Sequence, residues 1–252
     1  GGHFSFWGAE SAGRKAILGK RPGEARNCEG MGMSQDDKKR AAAEAALEFI
    51  EPGTRLGVGT GSTVNFLIDA LPGLQGSLEA LVASSLATER RLKDAGFEVA
   101  ELGDVGEIDL YIDGADEVNK QFHLIKGGGG ALTREKILAG AARRFICIVD
   151  ESKLVGVLGA FPLPVEVIPM ATALVSHQFV KVRGQPIVRK NFVTDNGNAI
   201  IDVHGLSITN PLEMEQRFNQ VPGVVTVGIF AHRPADVLLI AGDQGVEQRD
   251  RF

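Results

Sequence analysis

Thr54-Arg-Leu-Gly-Val-Gly-Thr-Gly-Ser-Thr-Val-Asn-Phe-Leu-Ile-Asp-Ala-Leu71 runs from a short apolar segment through a glycine-rich turn into an amphipathic stretch. Strand Thr54 to Val58, turn Gly59 to Thr63 and helix Val64 to Leu71 make the first half of a βα unit. The same order recurs downstream. Leu78 to Ser84 predicts a second strand before the charged helix Ala87 to Ala95, and further strands follow at Ile108 to Ile112 and Phe122 to Lys126. A helix over Leu132 to Arg143 then leads into a strand over Phe145 to Val149, and upstream Gln35 to Ile50 reads as an Ala-rich helix stopped by Pro52-Gly53. Repeated βα units imply a Rossmann-like α/β domain, a parallel sheet with helices on both faces.

Beyond Phe161-Pro-Leu-Pro164 strict alternation ends. Strands over Gln185 to Val193 and Ala199 to Val203 flank Asp195-Asn-Gly-Asn198, whose Asn-Gly step signals a hairpin. Helices are expected at Ala171 to Val182 and Leu212 to Asn219, and a β-rich run at Val224 to Phe230. This segment reads as a smaller α+β, ferredoxin-like domain inserted before a last strand, Asp236 to Ala241, that returns to the first sheet. The expected division is 33–159 with 236–250 for the Rossmann-like catalytic domain, and 160–235 for the small domain, with a role in oligomerisation. Residues 1–32 read as a leader, added artificially or disordered, with a transit-like segment as the other option; Met33-Ser-Gln-Asp-Asp37 reads as a start.

With 252 residues, 44% of them hydrophobic, the chain can bury a full-sized core. A net charge of -5 without any basic run argues against nucleic acid or an anionic membrane as partner, because both demand clustered Lys and Arg. No window reaches the apolar length of a membrane span. Cys28 and Cys147 are too few for a metal motif, and Cys147 lies in an apolar run, so a buried free thiol in a reducing, aqueous compartment is expected. His3, His123, His177, His204 and His232 are scattered without metal-ligand spacing. A small ligand and a metal-free mechanism follow.

Four segments carry candidate chemistry. Gly57-Val-Gly-Thr-Gly-Ser-Thr63 lies between strand and helix, where backbone N–H groups and hydroxyls either cradle an anion or merely form a capped turn. It is neither a P-loop, lacking the Lys, nor a dinucleotide turn, since Ser62 stands at the third glycine's place and Ser84-Ser85, not an acid, end the second strand. A single phosphoryl group suits it. Asp113 and Asp116 bracket Gly114-Ala115, as turn formers or as paired acids beside a ligand. Gly127 to Gly130 lose backbone entropy without stabilising anything, which suggests close approach to a ligand. Glu135, in the first turn of the next helix, either complements the helix dipole or serves as a general base tuned by burial and by Lys126. Lys153 is a surface lysine or a second cation for substrate oxygens. Asp113, Asp116, Lys126 and Lys153 are all expected at one edge of the parallel sheet.

Taken together, these motifs, with Ser152-Lys-Leu154, resemble the ribose-5-phosphate isomerase A family. The resemblance runs from about Met33 to about Val246 and includes Phe161-Pro-Leu-Pro-Val-Glu-Val-Ile-Pro169, Thr194-Asp-Asn-Gly-Asn198 and Pro222-Gly-Val-Val-Thr-Val-Gly228. It implies interconversion of ribose 5-phosphate and ribulose 5-phosphate without metal or organic cofactor. It also implies a cytoplasmic homo-oligomer, dimer or tetramer, of the pentose phosphate pathway. The family's base maps to Glu135 and its other active-site positions to Asp113, Asp116 and Lys126. Thr60, Gly61, Ser62, Thr63, Gly114, Ala115, Gly127, Gly128, Gly129 and Lys153 map around the substrate, and Lys39 near the phosphate.

On that basis Glu135 shuttles a proton between C2 and C1 through an enediolate, Lys126 and the glycine N–H groups face the oxyanion, Asp113 assists ring opening and Asp116 positions hydroxyls. The rivals are a coenzyme A transferase or amino-sugar phosphate deaminase on the same architecture, and a sugar-phosphate sensor like a repressor effector domain. The joint acid, lysine and glycine pattern speaks against the enzymes, and the lack of a helix-turn-helix ahead of the sheet against the sensor.

Overall fold

The computed structural model describes residues 32–251, so residues 1–31 of the expected leader, Cys28 included, lie outside the described residues. Helix α1 (Gln35–Ala46) starts at Ser34, whose Oγ accepts from the Asp37 N–H at 3.2 Å, while Asp36 and Asp37 complement the helix dipole. Then come β1 (Arg55–Val58), α2 (Ser62–Ala70), β2 (Ala80–Ala83), α3 (Leu86–Asp94), a single turn α4 (Leu102–Val105) and β3 (Ile108–Asp113). The two-residue strands β4 (Glu117–Val118) and β5 (Leu124–Ile125) precede α5 (Leu132–Ala141) and β6 (Ala142–Asp150). The second region holds β7 (Leu163–Val167), α6 (Thr172–Val180), β8 (Gln185–Val188), β9 (Ala199–His204), α7 (Pro211–Asn219) and β10 (Val224–Val227), and the chain closes with β11 (Ile229–Phe230), β12 (Val237–Gly242) and β13 (Gly245–Asp250).

Six strands form the main sheet in the order β13-β12-β6-β3-β1-β2, parallel except for the edge strand β13. Alternation along each strand supplies two apolar faces. Leu110, Ile112, Ile146 and Ile148 join Leu56 and Val58 under α1 and α2, with Ala43, Ala46 and Leu67 fully buried. Tyr111, Phe145 and Cys147 face the other way, toward Leu138 and Ala139 of α5, with the Tyr111 and Phe145 rings 4.9 Å apart. Each such large side chain stabilises the fold by roughly 1.5–3 kcal/mol through burial. Cys147 is the expected buried thiol, its pKa pushed up to about 12 by burial.

The second region is a four-stranded antiparallel sheet in the order β10-β7-β9-β8. Counted within the region, its strands lie fourth, first, third, second with βαββαβ connectivity, which is the ferredoxin-like arrangement. Phe179 of α6 and Phe218 of α7 stack at 4.0 Å over Val165, Val167, Ile201 and Val203. From Met33 onward both sheets belong to one compact unit.

Several expectations change. The run Phe122 to Lys126 does not enter the parallel sheet: β5 pairs antiparallel with β4 and β11 in a third, three-stranded sheet. Asn119 Oδ1 accepts from the N–H groups of Gln121 and His123, both at 3.0 Å, so the chain turns back within a few residues, too soon for a parallel crossover. Helix α5 ends at Ala141 and β6 begins directly at Ala142, earlier than Phe145. The inserted region precedes two strands, not one, because β13 folds back on β12. Val224 to Phe230 splits between two sheets at Gly228, where a Cβ would lie 2.3 Å from the Lys126 carbonyl oxygen. Strand β8 stops at Val188, so the Asn196-Gly197 turn sits inside a longer connection instead of closing a tight hairpin.

Candidate active site

The parallel strands carry Thr60, Ser84, Asp113 and Asp150 at or just past their C-terminal ends, and the small β4-β5-β11 sheet delivers Lys126 over that edge. There Lys39, Thr60, Gly61, Ser62, Thr63, Gly114, Ala115, Asp116, Lys126, Gly127, Gly128, Gly129, Glu135 and Lys153 line one cleft of about 620 Å³. Every residue expected around the substrate is in that lining except Asp113. Gln35 and Val64 line it too; neither carried a charge or motif that would single it out.

Asp113 lies fully buried behind the cleft. Oδ1 accepts from the Thr60 and Gly114 N–H groups at 3.0 and 2.7 Å, and Oδ2 from the Tyr111 hydroxyl and from Lys126 Nζ, the latter at 2.7 Å. Gly59 must be glycine beside it, since a Cβ would lie 2.0 Å from the Asp113 carboxyl carbon. The Lys126 ammonium also donates to the Gly114 carbonyl at 2.6 Å and lies 3.4 Å from Glu135 Oε2. Burial pulls the Lys126 pKa down, but Asp113 and Glu135 more than offset it and hold the ammonium above its ordinary range.

Glu135, 3% exposed, is raised from an ordinary 4.5 up to about 8, mainly by burial, with Lys126 opposing and Asp113 and Asp116 adding. Among the described residues its Oε2 has no hydrogen-bond partner, the Lys126 ammonium lying 3.4 Å away. Asp116, raised chiefly by burial, accepts from the Gly128 N–H at 2.8 Å. The cleft therefore pairs a protonatable carboxyl with a permanent cation, a combination suited to moving a proton while balancing a developing negative oxygen.

At the other end of the cleft, α2 begins at Ser62 after Gly61, so the first-turn N–H groups lack intrahelical acceptors and face the opening, with Lys39 and Lys153 beside them. The Thr60 hydroxyl is engaged elsewhere, 2.8 Å from both Ser84 Oγ and Ser85 Oγ, which explains the serines at the end of β2: they hold the glycine turn. Among the described residues no cluster of three or more His, Cys, Asp or Glu could hold a metal ion, and no helix is long and apolar enough to cross a membrane.

The glycine run answers to the protein itself. A Cβ on Gly128 would lie 2.6 Å from Asp116 Oδ1, and one on Gly130 2.1 Å from the Phe192 ring. Both glycines thus pack closely on side chains of the protein itself, and Gly130 also has the positive φ that favours glycine. Phe192 and Arg189 come from the ferredoxin-like region and carried no signal in the sequence; the 194–198 turn was read only as a turn and a family motif. Buried Glu166 accepts from Thr133 Oγ1 of α5 and from Thr194 Oγ1, Asn196 Nδ2 and Asn198 Nδ2, the last three at 2.8, 3.1 and 2.8 Å. Thr194-Asp-Asn-Gly-Asn198 was therefore a docking device as well as a turn, a role its local composition did not reveal.

Residues 80–245 match the family model described as Ribose 5-phosphate isomerase A (phosphoriboisomerase A). The chain is also similar to solved structures of ribose 5-phosphate isomerase A from Neisseria gonorrhoeae (43% identity, 88% of this chain and 100% of that one, TM-score 0.85) and from Methanocaldococcus jannaschii (35%, 86% and 100%, TM-score 0.81). A D-ribose-5-phosphate isomerase solved with phospho-erythronic acid is 36% identical over 87% of this chain and 100% of that one, with a TM-score of 0.83. Fold, site and likeness define an enzyme of the aldose-ketose isomerase class. The chain belongs to the ribose 5-phosphate isomerase A family. That membership sets aside the transferase, deaminase and sensor readings.

Proposed function

We propose that the chain interconverts D-ribose 5-phosphate and D-ribulose 5-phosphate through an enediolate, with Glu135 as the proton-shuttling base. The observation that carries this is the buried Glu135 carboxyl, on the cleft wall, with Oε2 lacking a hydrogen-bond partner among the described residues and 3.4 Å from Lys126 Nζ. Ionised Glu135 takes the proton from C2 of the open-chain aldose and returns it to C1, while a hydroxyl proton moves from O2 to O1. Lys126 and a glycine N–H balance the charge on the intermediate's oxygen. The phosphate binds at Gly61 to Thr63 between Lys39 and Lys153.

Asp116 faces the cleft and takes over from Asp113 the ring-opening role that the resemblance implied, because Asp113 is fully buried behind Lys126 and acts through that ammonium in keeping it charged and aimed. The reading needs neither metal nor organic cofactor and sets the enzyme in the cytoplasmic pentose phosphate pathway. Homo-oligomerisation through the ferredoxin-like region is supported by the exposed Leu174, Val180, Ile187, Val188 and Val193. An isomerase assay on ribose 5-phosphate in the presence of chelator, with Glu135→Gln alongside, tests the reaction and the base together. Retained turnover in that variant would refute the base assignment.

A further inference from the structure

Gly127 to Gly130 form a β-turn closed by the Gly130 N–H on the Gly127 carbonyl at 2.8 Å. Neither central residue, Gly128 or Gly129, has positive φ, so the turn is of type I. Rotating the central peptide gives type II, which needs positive φ at Gly129, a conformation glycine adopts freely. The two forms present opposite groups to a given face, because the C=O of Gly128 and the N–H of Gly129 point in opposite directions across a trans peptide. Four glycines in a row have no side chain with which to choose between them.

Arg189 contacts the turn from the ferredoxin-like region. Its Nη1 donates to the Gly128 carbonyl at 3.2 Å and its Nη2 approaches the Gly127 carbonyl at 3.5 Å. The guanidinium is itself held by a two-point contact with Asp202, at 2.8 and 2.6 Å, and lies over the Phe192 ring at 5.0 Å. Arg189 does not line the cleft, whereas Gly129 does, and the Gly129 N–H has no acceptor among the described residues. A carbonyl drawn outward to Arg189 turns the Gly129 N–H inward.

We propose that Arg189, reaching from the ferredoxin-like region, is a positioning residue that locks the central peptide of the glycine turn so that the Gly129 N–H, and not the Gly128 carbonyl, faces the intermediate's oxyanion. With the peptide flipped, a carbonyl oxygen would meet the enediolate and repel it. Ground-state sugar, whose hydroxyls both donate and accept, tolerates either group, so the effect falls on the transition state. The inference rests on the enediolate reading, and that reading is tested separately by Glu135→Gln in the unmodified turn.

The experiment compares Arg189→Met and Arg189→Lys with the parent by steady-state kinetics on ribose 5-phosphate, by inhibition with phospho-erythronic acid, whose carboxylate stands in for the enediolate, and by thermal unfolding. For Arg189→Met the expected result is a kcat lower by up to roughly 10²–10³-fold with KM little changed, since one oriented oxyanion donor is lost. Binding of phospho-erythronic acid should weaken in step with kcat, and Arg189→Lys should recover part of both. Should Arg189→Met not fold, Arg189→Lys carries the same criteria against the parent. An unchanged kcat, or a rise in KM without a fall in kcat, overturns the proposal; so does a loss of kcat with undiminished inhibitor affinity.

Discussion

Lys126 Nζ stands 3.4 Å from Glu135 Oε2 in a site where the two residues are 2% and 3% exposed. The pair is unequal, because Lys126 is also bound at 2.7 Å to Asp113 and stays charged, while Glu135 has no other partner for Oε2 among the described residues and is held toward its neutral form by burial. A fixed cation beside a carboxyl that can gain and lose a proton is what an enediolate reaction requires.

Glu135→Gln keeps size and hydrogen bonding and removes basicity. Turnover on ribose 5-phosphate should fall by roughly 10²–10⁴-fold or more, with KM close to the parent's. Steady-state kinetics with substrate-saturation curves checks both parts.

Because the base must be ionised, kcat/KM should rise with pH along a limb controlled by Glu135, whose pKa is raised to about 8. The same shift appears in stability. The folded protein keeps the Glu135 proton between the ordinary 4.5 and about 8, where the unfolded chain has released it, so the folded state binds more protons and this group's contribution falls as pH rises. Melting temperatures of Glu135→Gln relative to the parent should therefore shift in the variant's favour from about pH 5 to about pH 9. A difference independent of pH would contradict the raised pKa.

Lys153→Ala removes a cation at the phosphate end of the cleft and leaves the proton-transfer groups alone. KM should rise about 10- to 100-fold, the weight of one charge-assisted contact, with a smaller change in kcat. Added salt should narrow the gap between variant and parent.

Glu166→Ala strips the acceptor shared by Thr133, Thr194, Asn196 and Asn198 at a fully buried position. A loss of about 2–4 kcal/mol is expected from chemical denaturation, since several donors are left unsatisfied. Activity should drop with it, because Thr133 lies in the first turn of the helix that carries Glu135.

Incubation with excess chelator followed by assay should leave turnover unchanged. Activity that vanished and returned with a divalent ion would contradict the metal-free reaction.

Much of this architecture is legible in local pattern. Alternating apolar runs predict β1, β2, β3, β6 and β12, and the glycine turn before α2 marks the phosphate end, because strand periodicity and helix caps depend on neighbours a few residues away. Elements governed by distant partners were misread. Leu124 and Ile125 looked like another parallel strand, yet the Asn119 turn and pairing with Ile229 and Phe230 put them in a separate sheet. Gly127 to Gly129 line the cleft as their run suggested, but the close packing of Gly128 on Asp116 and of Gly130 on Phe192 depends on residues distant in the chain and could not be read locally.

The sequence by itself determined which residue types were available for the chemistry: an acid in the first turn of a helix, a lysine before a glycine run, and a phosphate-suited turn some seventy residues upstream of that acid (Gly61 to Glu135). Tertiary structure decided their roles. Burial raised Glu135 beside the Lys126 ammonium, four donors closed Asp113 off behind Lys126, and Arg189 and Glu166 from the ferredoxin-like region took hold of the glycine turn and the base-bearing helix. The reason is physical: a side chain's identity is local, but its desolvation and its neighbours in space are set by segments far away in the chain.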